Sequence, residues 1–170
     1  MRLILAALAI VAFGALATAQ HQHGNAPYGG LHQRAVKALS EQQISDLRTG
    51  RGMGLPLAAE LNGYPGPLHV VELADQLELS VELRQRMREL FDAMKAEAIP
   101  VGEALIDRET ALDRAFADRT ISPETLVTLT AQIGETQSQL RAIHLKYHLM
   151  TTDLLSPHQR HRYAELRGYR

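Results

Sequence analysis

Residues 81–118, "VELRQRMRELFDAMKAEAIPVGEALIDRETALDRAFAD", decide the fold. Apolar side chains stand at Leu83, Met87, Leu90, Met94, Val101, Leu105, Leu112 and Phe116, with Ala98 filling the gap. Steps of three, four and seven place them on one face of a long helix packed along a partner. Pro100 falls inside the run, where it removes a backbone donor, so a kink or a break is expected there. The partner runs from 123 to about 153, with a seam of Leu126, Leu129, Ile133, Thr136, Leu140, Ile143, Tyr147, Met150 and Leu154. Only "ADRTISP" separates the two segments, a connection short enough to make them antiparallel.

Working outward, shorter elements precede this pair. A short helix is expected from Glu41 to Thr49. The glycines and prolines of "GRGMGLPLAAELNGYPGP" then predict an ordered loop or a single broken turn. Pro67 opens a second short helix, "PLHVVELADQL". No stretch alternates with period two. The expected fold class is therefore all-α, a long antiparallel helical hairpin with short flanking helices. Two long arms with few short helices over them should leave part of the apolar seam uncovered, and such surface needs a partner.

The helix starts share a chemistry. Leu39-Ser40-Glu41-Gln42-Gln43 and Leu155-Ser156-Pro157-His158-Gln159 both fit Leu-Ser-x-x-Gln. In such a string the serine hydroxyl accepts from an unpaired N–H of the first turn, and the glutamine reaches back to the serine N–H. This is a capping box, and its cap alone contributes about 1 kcal/mol. Ser40 with Gln43 and Ser156 with Gln159 are the predicted pairs. Leu39 with Ile44 adds a hydrophobic staple, and Pro157 suits the first helical position. Ser122-Pro123 caps the second long arm in a looser form, and Ser80 precedes the first without a box.

Composition narrows the setting of this 170-residue chain. Its opening, "MRLILAALAIVAFGALATAQ", carries Arg2, an apolar run and the small residues Ala17-Thr18-Ala19, the pattern of a secretory signal peptide over residues 1–19. After cleavage no stable membrane insertion is expected. Residues 20–38 begin polar and glycine-containing and are expected to be flexible, leaving 39–170 as one helical domain. With no cysteine, disulfides, thiolate ligands and a cysteine nucleophile are excluded. A net charge of −1 and the absence of tryptophan give no basis for nucleic-acid binding.

Two Leu-Ser-x-x-Gln strings bracketing a cysteine-free helical hairpin behind a signal peptide resemble the Spy/CpxP family of periplasmic proteins, marked by paired Leu-Thr-x-x-Gln motifs. The resemblance spans roughly residues 39–166, with serine keeping the threonine's capping hydroxyl. It implies a curved antiparallel homodimer in the periplasm that binds unfolded or misfolded proteins without ATP. It also implies that a sensor kinase or other signalling protein could be a partner. Arg84, Arg86, Arg88 and Lys95, with Arg160, Arg162 and Arg167, supply positive charge beside the apolar seam, although a solvated face is the ordinary role of such residues.

The same superfamily includes periplasmic metal sensors resembling CnrX and ZraP, which implies an alternative function as a zinc, copper or nickel sensor or resistance protein. His144 and His148 stand at i and i+4, one step off the seam, a spacing that can hold one ion. A carboxylate or histidine from another segment or subunit would have to complete the site. In the sensor branch the first helix brings a His-x-x-x-His pair; "EQQISDLRTG" contains no histidine. Two ligands alone make a weak site. His158 with His161, and His21 with His23, are further pairs. No nucleophile elbow, phosphate loop, dinucleotide fingerprint or H-E-x-x-H is present, so an enzyme is not expected and no cofactor is required.

Overall fold

The computed structural model describes residues 28–169, and the expected signal peptide lies outside them. The chain runs through α1 (Glu41–Arg48), α2 (Leu57–Glu60), α3 (Pro67–Glu72), α4 (Val81–Ala117), α5 (Pro123–Leu154) and α6 (Pro157–Leu166), after a 3-10 turn at Leu31–Gln33. No strand occurs among the described residues, and α4 and α5 pack against each other along the hairpin. No helix among them is long and apolar enough to cross a membrane.

Helix starts follow the local chemistry of the sequence. The Gln43 N–H donates to Ser40 Oγ at 3.1 Å while the Ser40 N–H donates to Gln43 Oε1 at 2.8 Å. The same reciprocal pair forms at Ser156 and Gln159, at 3.2 and 3.0 Å. Ser122 closes a box with Thr125, and Ser80 accepts from Leu83 alone. Gln159 also acts across the fold, where its amide donates to the Leu77 carbonyl at 3.3 Å and ties α6 to the end of the α3 region.

Two apolar clusters fill the interior. One joins Val70, Ala74, Leu77 and Leu79 to Met87, Leu90 and Met94 of α4, and to Tyr147, Leu155 and Tyr163. The other joins Val36, Leu39 and Leu47 to Ala98, Leu105 and Ile106 of α4 and to Ile133 and Leu140 of α5. Val36 and the Lys37–Asp113 ion pair at 3.2 Å dock the end of the 20–38 segment onto the hairpin. Phe116 and Val127, near the tip of the hairpin, lie beyond both clusters and are exposed.

One expectation is narrowed and another is altered. Helix α4 is not broken at Pro100 but continues through it to Ala117. Pro100 and Ala96, whose carbonyl would have accepted from residue 100, both lie on the exposed side, so water can take over the missing bond. The seam of α5 also rotates: Leu140, His144, Tyr147, His148 and Thr151 are buried, while Met150 and Leu154 are exposed. A straight helix drifts by about 20° per heptad relative to a strict repeat, and along the whole of α5 the drift moves the buried stripe by nearly one position.

Candidate functional site

The rotation of the seam carries His144 and His148 into the interior, at 1% and 5% exposure, where the sequence placed them one step off the packed face. The loops around α2 cover them. Gly52 lies against His144: a Cβ there would stand 3.5 Å from Nδ1. Gly66 lies against His148, and a Cβ there would come within 2.8 Å of Cε1 and Nε2. Glycine at 66 is what lets the chain close over His148, whereas at Gly52 the tight neighbour of an added Cβ would be Pro56, at 3.1 Å.

The two rings differ in their partners. His148 Nδ1 is 2.7 Å from the Tyr64 carbonyl, so this nitrogen carries the proton and donates. His144 Nε2 is buried with no hydrogen-bond partner, as is Thr151 Oγ1. Burial holds the His144 imidazole down at about 4, and the neighbouring His148 adds to the effect. Burial also lowers His148, against the opposing pull of the Tyr64 carbonyl and Glu60. Both are therefore neutral near pH 7.

Glu60 is the second centre. Its carboxylate is buried and accepts from the hydroxyl of Tyr163, from the Tyr169 hydroxyl at 3.1 Å and from the Gly66 N–H at 3.2 Å. Oε2 lies 3.6 Å from His148 Nδ1, and Arg167 Nε approaches Oε1 to 3.9 Å. One carboxylate thus binds α2, the turn before α3, α5 and the C-terminal region. Burial and the Glu60 carboxylate push the Tyr163 phenol well above its usual range.

Beside these groups opens a cavity of about 670 Å³, bounded by segment 49–57, the start of α3, and α4 and α5. Both imidazoles and Glu60 reach it, together with apolar walls that include Met53, Phe91 and Met94. Among the described residues no group of three His, Asp or Glu side chains is placed to hold a metal ion.

The remaining candidates are dispersed. Leu39 and Leu155 are buried, and their motifs sit on different helices as caps. His158 and His161 border an open cleft with Glu78 and Glu165, and His161 Nε2 lies 3.4 Å from Glu165. His69 pairs with Glu72 at 2.9 Å. His21 and His23 lie outside the described residues. Several of the arginines are engaged: Arg84 with Asp75 at 2.6 Å, Arg86 with Glu89, Arg162 with Glu165, and Arg160 on the Leu155 carbonyl at 2.7 Å. Glu60 and its tyrosines were not singled out in the sequence, because their partners lie 103 and 109 residues away.

No protein-family model matches the chain. No curated protein and no solved structure matches it either.

Proposed function

We propose that the chain is an ATP-independent binder of unfolded polypeptide, a periplasmic stress-response chaperone of the Spy/CpxP kind. One observation carries the reading: the hairpin does not enclose its own apolar surface. Phe116, Leu126 and Val127 are exposed towards the tip, and Leu149, Met150 and Leu154 towards the base of α5. An amphipathic pair of arms with apolar side chains open at both ends can hold many sequences weakly, or a second copy of itself. The two capping strings add the resemblance in sequence. The test is suppression of aggregation: the purified protein, at near-stoichiometric amounts and without nucleotide, should keep several unrelated unfolding clients soluble. Failure with all of them removes the reading.

A metal-responsive protein is the second reading, favoured by the burial of His144 and His148 side by side with Glu60 3.6 Å from the latter. It requires micromolar or tighter binding of zinc, copper or nickel, lost in His144→Ala/His148→Ala. Calorimetry without heat for these ions would remove it.

A further inference from the structure

The cavity above the two histidines combines three features that the polypeptide-binding reading does not use. The first is an unpartnered polar side chain at its floor. His144 is 1% exposed and its Nε2 has no hydrogen-bond partner, while Nδ1 faces Gly52, where no side chain intervenes. A neutral imidazole carries one proton, and with it on Nδ1 the ring presents a donor on the Gly52 side of the cavity.

The second is the balance of charge on the walls. Glu72 is taken by His69 at 2.9 Å, and Glu60 by two tyrosine hydroxyls and a backbone N–H. Arg167 approaches Glu60. Lys95 has no carboxylate within ion-pair distance among the described residues, and its ammonium rests 5.6 Å from the centroid of Phe91. With His69 neutral, the lining sets three cations, Arg51, Lys95 and Arg167, against two carboxylates, Glu60 and Glu72, a formal balance of +1. It favours an anion at this wall and opposes a divalent cation. Gly50 packs on the Lys95 backbone and Gly52 on His144, so one short stretch of loop lies against both groups.

The third is the apolar lining. Met53 and Leu57 are exposed at the mouth, whereas Phe91 and Met94 form the wall behind. A volume of about 670 Å³ suits a small molecule rather than a folded partner.

We propose that this cavity binds a small amphipathic carboxylate, its head group held by Lys95 and His144 and its apolar body lying along Met53, Leu57, Phe91 and Met94. The carboxylate accepts from the ammonium and from an imidazole N–H, and the chain of the ligand covers the exposed apolar mouth. The inference is independent of client binding, which concerns the ends of the hairpin.

The chelator-treated full chain would be titrated with octanoate, octanol and octylammonium by calorimetry. Octanoate should bind at one saturable site, at least tenfold tighter than the alcohol or the amine. Lys95→Gln and His144→Leu should each weaken it tenfold or more while leaving aggregation suppression unchanged. Lys95 is on the cavity wall outside both apolar clusters, so its variant folds even if His144→Leu repacks the floor. Octanoate affinity unchanged in Lys95→Gln, equal binding of all three probes, or heat with zinc but none with octanoate would each overturn the assignment.

Discussion

A Cβ added to Gly102 would stand 2.6 Å from the carbonyl oxygen of Leu47. Helix α1 therefore rests directly on the backbone of α4, two residues beyond Pro100, and only glycine permits the approach. Because the obstacle is backbone, it cannot be relieved by a rotamer change. Gly102→Ala should lift α1 away and open the cluster built on Leu47, Leu105 and Ile106. A loss of roughly 2–3 kcal/mol is expected, within the usual range for overpacking. Denaturant melts would give the loss, and amide exchange would place it in α1. A wild-type midpoint would refute the contact.

The caps offer a graded comparison. Ser40→Ala and Ser156→Ala should each cost about 1 kcal/mol, the ordinary value for a lost N-cap. The glutamines should differ. Gln43 serves only its own box, whereas Gln159 also holds the Leu77 carbonyl across the fold. Gln159→Ala should thus destabilise more than Gln43→Ala in thermal melts, and equal effects would count against the cross-link.

Glu60 is a stronger test of the buried network. Removing it as Glu60→Ala strands the Tyr163 hydroxyl, which is buried, and leaves the Gly66 N–H without its acceptor. Each orphaned group costs about 1–3 kcal/mol, so a total loss near 3 kcal/mol is expected. Tyr163→Phe should cost less, and Tyr169→Phe less still, because Tyr169 is only half-buried. Urea denaturation of the three variants would establish the order.

The contrast between caps and network explains what was legible in the sequence. A capping box is complete within three residues, so Ser40–Gln43 and Ser156–Gln159 could be read directly. The hairpin was legible for a similar reason, because its period is a property of each arm alone. The rotation of the α5 seam was not, since the covering of His144 and His148 depends on loops packed around Gly52 and Gly66. His148 meets Tyr64 across 84 residues of chain, and a one-dimensional pattern holds no record of that contact. Pro100 read as a kink or a break because its local cost was visible and the solvent beside it was not.

The two buried imidazoles predict a dependence on pH. Both have folded-state values below the ordinary 6.5, so the unfolded chain takes up protons that the folded chain refuses. Their contribution is fully present above pH 6.5 and is lost as pH falls towards about 4, the value to which burial holds His144. For His144 the loss approaches about 3 kcal/mol. Glu109, raised by burial, acts in the opposite direction in the carboxylate range. Melting in chelator should thus fall steadily from pH 7 to pH 5, and His144→Leu should flatten part of that slope. A slope identical to the wild type would place the titration elsewhere.

The exposed apolar groups divide into two patches that can be separated. Phe116, Leu126 and Val127 lie towards the hairpin tip, and Leu149, Met150 and Leu154 lie on the last turns of α5. Since every one of these side chains is already in contact with water, replacing either trio by glutamine should change stability by no more than about 1 kcal/mol. The effects on binding should be larger. A surface that meets another polypeptide through apolar contact loses most of its affinity when its largest side chains are removed. Sedimentation of each triple variant would report self-association, and the aggregation assay would report client capture. Loss of one activity in one variant, with melting unchanged, assigns that patch its occupant. If both variants self-associate and protect clients as the wild type does, neither patch is a binding surface and the polypeptide-binding reading fails with them.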